Sequence, residues 1–136
     1  MMRRLMLVLL CSLLIAGCGN KTPAVGKLGA TDVVLADGFK DAVAELTGGR
    51  GVDIVMDPVG GDRFTDSLRS LAPAGRLLVV GFTGGEIPTV KVNRLLLNNI
   101  DVVGVGWGAW TLTHPDSLAQ QWNGLAALLT SGKLAV

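Results

Sequence analysis

Few residues in this chain have the type and spacing that chemistry needs. His114 is the only histidine and stands directly before Pro115, while Ser and Asp residues are scattered without a partner base, so a helix-entry or surface position is expected for it. Cys11 and Cys18 are the two cysteines. With a single histidine they do not make up the three or four ligands of a zinc site, and the carboxylates stand singly. Gly104-Val105-Gly106-Trp107-Gly108-Ala109 has the G-x-G-x-x-G/A spacing by which backbone N–H groups at a helix N-terminus hold a pyrophosphate. No helix is expected directly behind it and no acidic residue follows about 20 positions on. The expectation there is a late strand whose glycines relieve packing. Gly26-Lys27 lacks both the upstream glycine and the following Ser or Thr of an ATP-binding loop. Asp57 is placed to cap the helix turn after it, and Trp107 and Trp110 are expected in a core or an interface.

A different chemistry is written at the N-terminus. Met1-Met2-Arg3-Arg4 is a positive stretch, and Leu5 to Ile15 is apolar apart from Ser12, which is the n-region and h-region of an export signal. As a helix that run would reach only about 16 Å, roughly half a bilayer's hydrocarbon thickness, which is too short for a permanent span. Ile15-Ala16-Gly17-Cys18-Gly19-Asn20 then resembles the lipobox of bacterial lipoproteins, with Cys18 as the acylated residue. The expected organisation is a signal peptide over 1–18, a linker over 19–24 and one domain over 25–136. Membrane attachment would then be through a lipid anchor at the cell envelope.

The elements around these residues follow from composition and periodicity. The 136 residues are 49% hydrophobic and 17% charged, with 12 Lys and Arg against 11 Asp and Glu, which excludes disordered and fibrous classes and allows one modest core. The basic residues are single and form no stripe with aromatics, so no nucleic-acid partner is expected. Strands are predicted at Asp32 to Ala36, Val52 to Asp57, Arg76 to Phe82 and Asp101 to Trp107. Each is nearly continuous in apolar residues, as in a parallel sheet covered on both faces. Helical spacing links Phe39, Val43 and Leu46, then Phe64, Leu68, Leu71 and Ala72, and finally Leu118, Trp122, Leu125 and Leu129. Gly48-Gly49-Arg50-Gly51 and Gly132 are placed to stop helices, Asn93 to cap a short helix through Asn98, and Pro115 to open the last one behind a cap at Thr113 or His114. The fold class is α/β, a partial Rossmann-like doubly wound parallel sheet of about four strands.

Three blocks make the pattern specific: Leu46-Thr47-Gly48-Gly49-Arg50-Gly51-Val52-Asp53, Asp57-Pro58-Val59-Gly60-Gly61-Asp62, and Gly75-Arg76-Leu77-Leu78-Val79-Val80-Gly81-Phe82. Together they resemble the NADPH-dependent quinone oxidoreductases of the medium-chain, zinc-binding-dehydrogenase-like superfamily. Lys27-Leu28-Gly29-Ala30, Glu86-Ile87-Pro88, Asn93 to Ile100 and Val103 to Gly108 extend the likeness over roughly Val25 to Val136. The resemblance implies NADPH as cofactor, no zinc, and a quinone-like small molecule as acceptor. It also implies that the loops after two adjacent strands approach the nicotinamide, which places Val59, Gly60, Gly81, Phe82 and Thr83 at the cofactor.

In that family a catalytic domain and the first two strands, with their glycine-rich turn, precede this region, and a return segment follows it. Both ends are therefore expected to be cut, leaving a piece of an oxidoreductase that is not active alone. In the doubly wound order 3-2-1-4-5-6 the strand Asp32 to Ala36 loses its neighbour, and Val52 to Asp57 is left with an open apolar edge. Such an edge invites a partner chain, or the docking of Asp32 to Ala36 beside it. A working signal would place the chain at the envelope as a lipoprotein with a binding role and no redox chemistry; otherwise it is cytoplasmic, as in the family.

Overall fold

The structure is a computed structural model that describes residues 6–8 and 30–134. The expected linker and most of the expected signal peptide, Cys18 included, lie outside the described residues. The chain divides into two compact units. The described part of the first is 6–8 with Val34–Val105, and that of the second is 30–33 with 106–134.

The first unit is a parallel sheet of four strands, β1 (Met6–Val8), β2 (Val52–Asp57), β3 (Leu71–Val79) and β4 (Asp101–Gly104), in that spatial order. The β2 register sets Ile54 against Arg76 and Asp57 against Val79, and the β3 register sets Arg76 against Asp101. Val55 of β2 and Leu77 of β3 are fully buried, each stabilising the fold by about 1.5–3 kcal/mol through burial alone. Helix α1 (Phe39–Leu46) and helix α2 (Phe64–Arg69) contribute Phe39, Val43, Phe64 and Leu68 to the same core. Short helix α3 (Asn93–Asn98) leads into Ile100, which is buried there too.

The glycines after α1 act as the sequence predicts. Gly48 takes a left-handed φ of 60°, and the amides of Gly48 and Gly49 donate to the carbonyls of Glu45 and Ala44, a Schellman stop. Gly51 then turns the chain into β2 at a φ of 86°, where a Cβ would stand 2.7 Å from the Ser70 carbonyl oxygen. Only glycine fits that approach.

Several expectations are corrected. Asp32 to Ala36 forms no strand; Leu35 is exposed and only Val34 packs on the core. A strand needs a ladder partner, and the edge of β2 where it was expected to dock carries β1 instead, with Met6 opposite Ile54 and Val8 opposite Met56. Leu71 and Ala72 belong to β3 and not to the preceding helix. Pro73 biases the residue before it away from helix, Ala74 has a φ of 61°, and the Ser70 carbonyl accepts from Val52. β3 ends at Val79, not Phe82, because Thr83 turns back to Pro58. Asn93 is the first residue of α3, with Val92 at the cap position.

The second unit holds helix α4 (Trp107–Thr113) and helix α5 (Ser117–Thr130). Asp116, not Thr113 or His114, precedes α5 at its cap position. Gly132, at a φ of 67°, and Lys133 donate to the carbonyls of Leu129 and Leu128, the Schellman stop expected of that glycine. Among the described residues no helix is long and apolar enough to cross a membrane.

Candidate functional site

Parallel strands point their carboxyl ends at one edge of the sheet, and ligands of open α/β sheets sit in the loops there. β2 and β3 are neighbours, so the loops that follow them meet. Asp57, the last residue of β2, is buried, and its Oδ1 accepts from the amides of Val59 at 2.8 Å and Gly60 at 3.0 Å. It thus caps the loop itself and not the helix turn expected of it, where Gly60 holds the cap position without a side-chain bond. Two charge-assisted hydrogen bonds to one carboxylate oxygen fix the first loop.

The second loop is tied to the first by main-chain bonds. Val80 donates to the Asp57 carbonyl, Thr83 to that of Pro58, Gly84 to that of Val59, and Gly61 donates to Glu86. The Thr83 hydroxyl also donates to the Pro58 carbonyl at 3.0 Å. Gly60, at φ 67° and ψ −140°, presents its bare Cα to the Phe82 ring, and a Cβ there would stand 2.8 Å from Cδ1. The structure thus brings Val59, Gly60, Gly81, Phe82 and Thr83 together at one place. The contributions of Pro58 and Glu86 were not foreseen, because a main-chain acceptor leaves no mark on residue type.

The bonding leaves a defined set of groups over. The amides of Gly81 and Phe82 have no hydrogen-bond partner among the described residues, while Val80 before them and Thr83 after them do. The Phe82 side chain is 40% exposed. Two adjacent donors beside an exposed aromatic face suit a flat ring that carries a carbonyl group.

The zinc-binding dehydrogenase pattern matches residues 14–130. The chain belongs to the zinc-binding dehydrogenase family. A quinone oxidoreductase-like protein 2 homolog of Nematostella vectensis is 37% identical over 117 residues, which are 85% of this chain and 32% of the relative. The crystal structure of a probable oxidoreductase from Mycobacterium abscessus superposes with a TM-score of 0.64 at 44% identity, covering 82% of this chain and 32% of that one. A mycobacterial protein solved in complex with NADPH superposes with a TM-score of 0.63 at 32% identity, over 72% of this chain and 30% of that one. The chain therefore spans about a third of the length of these three proteins.

The other candidates fall elsewhere. α4 opens at Trp107 behind Gly104-Val105-Gly106, so a helix does follow this glycine run, contrary to expectation. A Cβ at Gly104 or Gly108 would meet nothing within 4 Å, so these glycines do not relieve packing either. Three residues with low strand propensity in five end β4 and leave the chain free to turn. His114 is exposed, as expected. It follows α4 and stacks on Trp110 with ring centroids 3.7 Å apart, and its Nδ1 lies 3.0 Å from the Trp110 carbonyl. Trp107 and Trp110 are not core residues but 55% exposed, and the Trp107 indole donates to Gln121. Among the described residues no group of three or more His, Cys, Asp and Glu is placed to hold a metal ion.

Proposed function

We propose that the loops of residues 57–61 and 80–86 hold the nicotinamide end of NADPH, in a domain that serves hydride transfer to a quinone-like acceptor once the rest of an oxidoreductase is present. The supporting observation is the pair of unpartnered amides at Gly81 and Phe82, flanked by loop residues that are all tied down. Those amides would donate to the carboxamide oxygen, Phe82 would offer its ring as an apolar wall, and Gly60 keeps that ring close by lacking a Cβ. Asp57 holds the loop in place and is kept from the ligand by its own two bonds.

When bound, NADPH supplies a hydride, and with one proton an acceptor of quinone type becomes the hydroquinone. This chain contributes position to that step. Weak binding is expected of these two loops by themselves, and by resemblance the acceptor pocket is assigned to other parts of an oxidoreductase. A partner chain carrying those parts belongs to the same proposal. The proposal takes no zinc, as the resemblance to the quinone oxidoreductases implies.

Thermal unfolding of the chain with and without millimolar NADPH tests the reading, since a ligand of the folded state raises stability by RT ln(1 + [L]/Kd). An upward shift in Tm that Phe82→Ala abolishes is expected. An unchanged melt, or an equal shift in that variant, would remove the site. The envelope reading, with an acylated Cys18 and no redox role, draws on the sequence of residues 1–20 alone. Palmitate incorporation that Cys18→Ser abolishes is the result it requires.

A further inference from the structure

We infer that Met6–Val8 is a permanent strand of the folded domain, so that pairing with β2 and service as a removable export leader are mutually exclusive uses of one apolar run. Two independent observations carry this, and neither depends on the cofactor reading.

The first is topological. β2 has Val52 and Val55 buried and pairs on one side with β3. Its other edge would present bare N–H and C=O groups beside an apolar core, an arrangement that folded proteins cover or pair. β1 supplies the pairing in parallel register over three residues. Parallel neighbours need a crossover of a dozen residues or more, and roughly forty residues containing α1 separate Val8 from Val52. The apolar continuity that makes residues 5–15 read as a leader is equally what a fully covered parallel strand needs.

The second bears on the leader alone: the family match begins at residue 14, after Met6–Val8 and before Cys18. Cleavage before Cys18 would discard residues that the family shares as well as the strand beside β2. Removing 1–17 would reopen the edge and leave Ile54 and Met56 without neighbours on that side.

The test uses the full chain. With Cys11 and Cys18 changed to Ser, the double variant Val8→Cys with Met56→Cys is oxidised and mapped by peptide mass. A crosslink between positions 8 and 56 within one chain is expected; a crosslink only between chains, or none, overturns the inference. In the chain with its native cysteines, the intact mass from a bacterial host is expected to retain residues 1–17. A product beginning at an acylated Cys18 overturns it. Leu7→Pro, which removes a backbone donor from β1, is expected to speed amide exchange at Ile54 and Met56 at least tenfold while that of Leu77 is unchanged. No change at Ile54 and Met56 speaks against the strand as plainly as a missing crosslink.

Discussion

Helices α1 and α5 announce themselves in the same way, with Phe39, Val43 and Leu46 at helical spacing in one and Leu118, Trp122, Leu125 and Leu129 in the other. Both form, and both end on a glycine in a Schellman stop. Their burial differs. Phe39 and Val43 are almost fully enclosed with the residues of β2 and β3, whereas α5 has no buried residue within its unit and Trp122 is 63% exposed. Periodicity sets which face of a helix is apolar; what covers the face is decided by other parts of the fold. The first unit carries its own answer in a sheet, and the second has, among the described residues, two helices with which to make one.

Substitution in the two units should separate them most sharply at the core. Leu77→Ala in β3 removes a side chain with no exposure, and a loss of about 2–5 kcal/mol is expected from denaturant unfolding. A loss under about 1 kcal/mol would show that the sheet is loosely packed and that the contrast is weaker than burial implies. Next in size is Asp57→Ala, which leaves the amides of Val59 and Gly60 without their acceptor. Buried donors in that state cost about 1–3 kcal/mol. Asp57→Asn keeps an acceptor oxygen and should recover part of the loss; equal losses would mean that the negative charge, and not the turn, is what the loop needs.

These same residues show how far the sequence was legible. The parallel sheet, α1, α5 and both Schellman glycines were readable because long apolar runs, 3.6-residue spacing and glycine each have one strong physical meaning. The five site residues were placed together by resemblance, and adjacency of β2 and β3 brings them together in the structure. Three of the things that escaped show why. The strand expected at Asp32 to Ala36 has the right composition, but the β2 edge where it would dock is taken by β1, and pairing is not encoded in the segment itself. Pro73 and Ala74 moved the start of β3 to Leu71 against the helical spacing of Leu71 and Ala72. Met6–Val8 has the same composition as an export h-region, and composition does not tell an apolar strand from a leader.

Glycines sharpen the comparison at smaller energies. Gly60→Ala forces a side chain into a backbone conformation reserved for glycine and against the Phe82 ring, and about 1–3 kcal/mol should be lost. Gly108→Ala, in α4, meets nothing within 4 Å. It is expected to gain a few tenths to about 1 kcal/mol from helix propensity. Opposite signs in paired thermal melts would confirm that one glycine is held by its surroundings and the other is not; a loss at Gly108 would reveal a neighbour for α4.

The smallest effect is expected where the sequence pattern is strongest. Trp122 lies on the apolar stripe of α5, so a reading from periodicity alone makes Trp122→Ala a core deletion worth about 3–5 kcal/mol. Its exposure makes it a surface change instead, within about 0.5 kcal/mol. Tryptophan fluorescence adds a second measurement, because a ring already in water emits at long wavelength before unfolding and shifts little after it. A chain in which Trp122 emission moves strongly on unfolding, and in which Trp122→Ala costs several kcal/mol, has a cover over α5. The contrast between the two units would then belong to the isolated chain and not to the protein in solution.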